Sequence, residues 1–537
     1  MGAIVCSLKI VSLHSPKNVQ IMKKLPIGIQ SFKSLREDGF LYVDKTRQLF
    51  DLSKEAKYYF LSRPRRFGKS LLLSTLKAFF QGKRELFEGL AIAELEKDWK
   101  SYPVLYLDLN TGNYNSAGAL EERLGYILSE WEEEFAIVPE KTQSVATRFQ
   151  VVIKHAAKTT GQQVVILVDE YDKPLLQAID NESLLTEFRN ILKGFYSNLK
   201  TCDEHIRFAF LTGVTKFSHV SIFSDLNNLQ DISLNNAYAD ICGFTEEEIR
   251  QTFTPFIQKF AKQEQVDEDA MMGKLKAMYD GYHFSPDMSK DVYNPFSVLN
   301  ALSSCQLQNY WFSTGTPTFL VKLLKDGQYK IQHLSEGDIT ATDLSGKDSL
   351  FTEPVALLYQ TGYLTIKGFD KDFDSYSLGF PNKEVELSFL RFLLPKYVGG
   401  TENRSSFYIE HFVRDLRKGD IDSFMERMTA FLGDTPYELI RDCENHFQNV
   451  LFTVCRLMGY HTIAEYRTSR GRIDMVVKTD DYTYVFEFKF DKSAQEALQQ
   501  IDTKEYMIPF TADGRQIVKI GVNFSKETRN IEGWEVR

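Results

Sequence analysis

No apolar run in this chain approaches the roughly 20 residues that span a bilayer. The opening Met1–Ile10 also lacks the basic start and long apolar stretch of a secretion signal. We therefore expect a cytoplasmic protein with no membrane partner. Cysteine is scarce: the six residues at 6, 202, 242, 305, 443 and 455 form no C-x-x-C pair, and the nine histidines form no H-E-x-x-H pattern. Zinc chemistry is thereby excluded, and reduced thiols are expected. Positive charge is also in deficit, 64 Lys and Arg against 73 Asp and Glu, a formal net charge of −9. No global field draws the chain to phosphate backbones, so any nucleic-acid contact must be local. Internal repeats and low-complexity tracts are absent. What remains is an ordinary globular composition, 43% hydrophobic and 26% charged over 537 residues, enough for about three or four domains.

Strand-like runs at 58–61, 104–109, 164–168 and 207–211 alternate with amphipathic stretches. That alternation predicts an α/β fold with a mostly parallel sheet between helices over 24–242. Residues 243–330 read as a helical, aromatic-rich lid region that includes Gly281–Phe284 and Tyr293–Phe296. Residues 331–400 read as a mixed, winged-helix-like connector in which Leu357–Leu364 is a helix, a glycine stop and a strand. The polar stretch Gly399–Arg404 opens a helical linker over 401–433, and a last α/β unit occupies 434–537. Residues 1–23 match nothing in this pattern and read as a non-native or disordered extension, with Met22 as the expected natural start.

Residues 63–70, R-P-R-R-F-G-K-S, follow the strand Lys57–Leu61 and precede the helical run Leu71–Lys77. A phosphate-binding P-loop needs this context, because backbone N–H groups (here Arg66, Phe67 and Gly68) and a helix N-terminus must converge on the phosphates of ATP. Lys69 would reach the β- and γ-phosphates and Ser70 would ligate magnesium. Arg63 stands where the usual motif has its first glycine. About a hundred residues later the apolar strand Val164–Val168 delivers Asp169 and Glu170. These suit a magnesium-shell carboxylate and a base for the attacking water. Thr212 ends a further strand as a γ-phosphate sensor or as a strand-end hydroxyl with no role. Arg63, Arg65 and Arg66 either add charge over the phosphates or form a solvated turn.

Lys24–Gly28, Tyr42–Thr46, the 63–70 motif and Asp169–Pro174 together resemble the bacterial AAA-ATPase-like family. Its members usually carry a C-terminal PD-(D/E)XK nuclease-superfamily domain, and arginine also occupies their first P-loop position. The resemblance runs from about residue 24 to the end. It implies ATP and Mg2+ as cofactors, and the dependence of such ATPases on a neighbour's arginine raises the prospect of a homo-oligomer.

At the C-terminus two β-rich runs flank Asp480-Asp481, a composition suited to a tight hairpin. Pairing Thr479 with Tyr482 and stepping back along both strands brings Asp474 opposite Glu487, with Cβ atoms about 5 Å apart. Lys489 points the same way. Two carboxylates so close need a cation or a proton between them. A magnesium ion on Asp474 and Glu487, beside Lys489, is the chemistry of a metal-dependent nuclease, although a solvated cross-strand ion pair gives E-x-K equally. Thr435–Glu438 has the marks of a helix start. On the helix that follows, Glu444 lies in the apolar stripe of Ile440, Phe447, Leu451 and Val454, where a carboxylate costs several kcal/mol unless paired. By resemblance Glu444, Asp474, Glu487 and Lys489 take the four nuclease positions. Gln500 matches a glutamine of the following helix or is a solvated helix residue. Arg472 reads as a phosphate contact or a surface arginine. The expected function is an ATP-binding, magnesium-dependent nuclease on DNA or RNA, whose cutting ATP could also regulate. The alternative is an NTP-dependent switch or scaffold whose nuclease-like domain binds nucleic acid or protein without cleavage.

Overall fold

The computed structural model describes residues 23–138, 143–216, 223, 228–312, 338–340, 344, 354–398, 402–433, 435, 443–459, 461–512 and 514–537. The expected extension and Met22 lie outside these residues. Strands are labelled β1 to β13 in chain order.

The N-terminal domain is built on β1 (Tyr58–Ser62), β2 (Val104–Asp108), β3 (Val164–Asp169), β4 (Ile206–Gly213) and β5 (Gln230–Asp231), in the order β2-β3-β4-β1-β5. Every pairing in it is parallel. All five residues of β1 and all six of β3 are buried, the continuous apolar signature of strands covered on both faces. The helices Lys69–Phe80 and Val145–Thr160 pack against β3. Because β4 lies between β3 and β1, the tips that carry Asp169, Thr212 and the 63–70 loop emerge side by side at the carboxyl edge, where open α/β sheets bind ligands.

The lid contains the helices Glu246–Gln263, Glu268–Tyr279 and Pro295–Ser304. Thr245 and Glu248 form a capping box on the first, and Asn294 caps the third with Pro295 at its first position. The sequence expectation of helix throughout fails at 280–294. There Gly281, at φ +88 with Pro381 O where a Cβ would stand, turns the chain into a pair of bridges, Phe244 with Tyr293 and Tyr282 with Val292. The connector has a three-stranded antiparallel sheet in the order β6 (Asp338–Thr340), β8 (Ser375–Gly379) and β7 (Thr365–Asp370), with the helix Pro354–Thr361 between β6 and β7 in the chain and the helix Lys383–Val398 after β8. The helix and glycine stop expected within 357–364 are present, with Gly362 at φ +91, but the strand begins only at Thr365, past the expected range.

Of the expected polar linker, Glu402–Arg404 already belong to the helix Glu402–Lys418. The last unit is a five-stranded sheet in the order β13-β12-β11-β10-β9, from β9 (His461–Thr468), β10 (Gly471–Lys478), β11 (Tyr482–Phe490), β12 (Gln516–Ser525) and β13 (Asn530–Val536). Here β11 and β12 run parallel and the other pairs antiparallel. The helix Cys443–Leu457 stacks Phe447 on Phe524 at 4.7 Å. The helix start expected at Thr435–Glu438 falls largely outside the described residues; the Thr435 hydroxyl is buried and has no hydrogen-bond partner among them. Residues 436–442, Ile440 included, lie outside them.

Candidate functional site

Gly68, at φ +97, caps the helix Lys69–Phe80, and a Cβ added there would meet nothing within 4 Å. The glycine serves the backbone turn and leaves open space before N–H groups that have no intrahelical acceptor. Lys69, only 4% exposed, bonds the carbonyls of Arg63 at 3.0 Å and Pro64 at 3.2 Å and lies 3.7 Å from Glu170. Asp169 is buried and accepts hydrogen bonds from Ser70 and, at 3.0 Å, from Thr212 Oγ1. Burial pushes its carboxyl up, against those bonds and with the Glu170 charge adding. Glu170 sits at φ +52, a conformation rare for a side chain of its type and concentrated at functional sites. Ser70, Asp169, Thr212, Lys69 and Glu170 are thus brought to one place.

A cavity of about 590 Å3 opens in front of this loop and is lined by Arg66, Phe67, Gly68, Lys69 and Ser70. Its far wall is apolar, with Pro26, Ile29, Val43, Phe244, Phe253 and Phe296. The sequence reading assigned none of these a role, although Lys24–Gly28 and Tyr42–Thr46 had stood out as motifs. A size and lining of this kind fit a nucleotide, with phosphates at the helix N-terminus and the base against the apolar wall. The Tyr42–Thr46 motif also has a local task. Asp44 accepts from Thr46 N and Thr46 Oγ1 and, through its other oxygen, from Ala91 N.

One loop arginine departs from expectation. The Arg63 guanidinium is neither over the cavity nor solvated: it is buried, donates to the carbonyls of Ser62, Ser233 and Tyr238, and lies 4.2 Å from the Phe284 ring. Arg63 fills the space that the first-position glycine of a usual loop leaves empty, and braces the loop from behind. The Phe67 ring is buried against Tyr282 and Phe284 at 4.8 and 5.3 Å, so only its backbone is available to a phosphate. Arg65 and Arg66 are exposed. Asp172, deeply buried, takes Val214 N, Thr215 N and Thr215 Oγ1 and fixes the turn after β4.

In the C-terminal sheet Met475 pairs with Phe486 and Lys478 with Thr483, and Thr479 N donates to Tyr482 O across the Asp480-Asp481 turn. This is the register read from the sequence, and one step further it sets Asp474 against Glu487. Phe488 N donates to Asp474 Oδ2 at 2.8 Å. Glu487, 2% exposed, accepts from Lys489 Nζ at 3.0 Å and from Gln500 Nε2 through the same Oε1. Lys489 Nζ also donates to Gln500 Oε1 at 2.9 Å. Glu487 Oε2 is buried with no hydrogen-bond partner among the described residues, an expensive arrangement for a carboxylate. Burial, with the Asp474 charge beside it, pushes Glu487 up to about 7. An open carboxylate oxygen next to a second carboxylate fits a divalent cation. No group of three or more His, Cys, Asp or Glu suited to a metal occurs among the described residues. Glu444 lies in the first turn of the helix Cys443–Leu457, and its side chain falls outside what is described. Arg472 pairs with Glu465 at 3.2 Å.

No helix among the described residues is long and apolar enough to cross a membrane. Residues 26–223 match the family described as predicted AAA-ATPase, and residues 442–534 match the PD-(D/E)XK nuclease superfamily. An uncharacterized protein in the vnfD 5' region of Azotobacter chroococcum mcd 1 is 37% identical over 526 residues, 96% of this chain and 99% of that one. Among solved structures, Cdc6p from Pyrobaculum aerophilum matches with 12% identity and a TM-score of 0.24, over 69% of this chain and 94% of its own. The Aeropyrum pernix ORC2 protein matches with 11% identity and a TM-score of 0.22, over 68% and 92%. The chain belongs to the predicted AAA-ATPase family and ends in a domain of the PD-(D/E)XK nuclease superfamily.

Proposed function

We propose that the protein is an ATP-binding, magnesium-dependent nuclease acting on DNA or RNA. The observation that carries this reading is Glu487: a buried carboxylate with one oxygen bonded to Lys489 and Gln500 and the other left open beside Asp474. A divalent ion held by Asp474 and Glu487 would supply an activated water and charge stabilisation at the scissile phosphate. Lys489 offsets the charge that develops there, and Gln500 holds the Lys489 ammonium and the Glu487 carboxylate in fixed orientation. Glu444 is assigned to the same site by its place in the superfamily's order.

At the other site the backbone of Arg66, Phe67 and Gly68 cradles phosphate, and Lys69 neutralises it. Ser70 and Asp169 would hold the magnesium of the nucleotide. Thr212 orients Asp169 and senses the γ-phosphate, while Glu170 draws the proton from the attacking water. The connector is read as winged-helix-like. Its β7–β8 tip, Asp370–Asp374, carries three aspartates to one lysine and would repel a phosphate backbone, so nucleic acid is assigned to the nuclease sheet instead.

The reading is tested by calorimetric titration of manganese in the absence of nucleotide. The wild-type chain should bind the ion, and Asp474→Asn should bind it at least tenfold more weakly. Equal binding by both would remove the assignment of Asp474 and Glu487.

A further inference from the structure

The back of the P-loop is held by residues far along the chain. Trp311 Nε1 donates to Arg65 O at 3.0 Å. A Cβ added at Gly362 would come within 2.6 Å of Pro64, so the glycine lets the connector close directly on the loop. Gln360 Oε1 accepts from Lys216 N at 2.9 Å, four positions past Thr212. The end of the helix Pro354–Thr361 therefore touches both the loop and the turn after the sensor strand.

From Trp311 the contacts continue in one direction. Its backbone N–H donates to Glu384 Oε1 at 2.7 Å, and Glu384 Oε2 accepts from Ser297 Oγ at 2.7 Å. Glu384 stands in the first turn of the helix Lys383–Val398. Two residues on, Glu386 accepts from Arg456 Nε at 2.7 Å, and Arg456 lies in the last turn of the helix Cys443–Leu457. That helix carries Glu444 and stacks Phe447 on the nuclease sheet. Each of these ties is a directional bond or a close apolar contact.

We propose that the first turn of the helix Lys383–Val398 transmits the nucleotide state of the P-loop to the helix Cys443–Leu457, receiving it through Trp311 and Glu384 and passing it on through the Glu386–Arg456 pair. The proposal rests on the two-site reading above and names how one site regulates the other. The Lys69 ammonium bonds the carbonyls of Arg63 and Pro64, and engagement with phosphate competes with those bonds one residue away from the carbonyl that Trp311 holds. Two packed arrangements of the loop then bias the start of one helix, and a helix turn biased by both sites couples them reciprocally, commonly by roughly 5- to 150-fold.

The test uses the full chain and hydrogen–deuterium exchange of residues 443–457, with and without a non-hydrolysable ATP analogue and magnesium. In the wild-type chain saturating nucleotide should change exchange in this helix at least several-fold. Arg456→Ala should bind nucleotide normally by calorimetry yet lose that response, and the charge swap Glu386→Arg with Arg456→Glu should recover it. Nucleotide binding without any exchange response, or an Arg456→Ala chain that responds like wild type, overturns the coupling alone. Failure of the chain to bind nucleotide overturns both readings. An exchange response in a protein that cuts no nucleic acid would support the coupling and discard the nuclease.

Discussion

In the proposed reading Lys69 would carry the compensating charge for the nucleotide, because its buried ammonium bonds the loop carbonyls and lies 3.7 Å from Glu170. Lys69→Ala should abolish ATP binding in a calorimetric titration, and unchanged affinity would sink the assignment. Glu170→Gln should keep binding and lose hydrolysis, since an amide preserves shape but cannot take a proton. A folded variant that loses both would mean that Glu170 holds the nucleotide. Arg63 calls for a different readout. Replacing it by lysine leaves buried carbonyls of Ser233 and Tyr238 without donors, at about 1–3 kcal/mol each. Chemical denaturation should therefore show the N-terminal domain weakened by about 2–4 kcal/mol, with nucleotide affinity of the folded protein nearly unchanged. Lys69, Ser70 and Asp169 were legible because their motif is local. The role of Arg63 was not, because its acceptors stand about 170 residues away in the chain.

Among the elements, the β10–β11 hairpin was the most readable, since a two-residue turn fixes every cross-strand partner. The aromatic segment 281–284 and Tyr293 misled, because residues that bury well in a helix bury equally well around a pair of bridges, whereas Pro295 and Phe296 do open a helix. Gln500 was half legible: its helical position was plain, but only tertiary folding brings its amide to Glu487 and Lys489. The helix Lys383–Val398 yields a pH prediction. Burial pushes Glu384 up from its ordinary 4.5 to about 7. A carboxyl with a raised folded pKa burdens the fold once it ionises. The cost is absent below pH 4.5, grows as pH rises from 4.5 to 7, and is constant above. Glu384→Gln, which can still accept from Trp311 N and meet Ser297, should remove this dependence. Its stability relative to wild type should rise across that window by at most about 3 kcal/mol. A constant difference between pH 4.5 and 7 would show that Glu384 does not titrate there.

For the whole molecule, the pairing of an ATPase-type domain with a nuclease-superfamily domain followed from the order of motifs along the chain. How the domains meet did not, because the ties run between residues such as Arg65 and Trp311 whose separation no local pattern records. With a net charge of −9, the proposed nucleic-acid contact would fall on the nuclease sheet and a cation held there, so phosphodiester cleavage should depend on divalent metal outright. The most direct measurement is a cleavage assay of the purified chain on single- and double-stranded DNA and RNA, with magnesium or manganese, with and without ATP. The account predicts metal-dependent cutting that Asp474→Asn and Lys489→Ala each reduce a hundredfold or more, the first with loss of metal binding and the second with metal binding retained. No cutting on any substrate in either nucleotide state, together with no metal bound at Asp474 and Glu487, would contradict it and leave a nucleotide-driven switch that binds without cleaving.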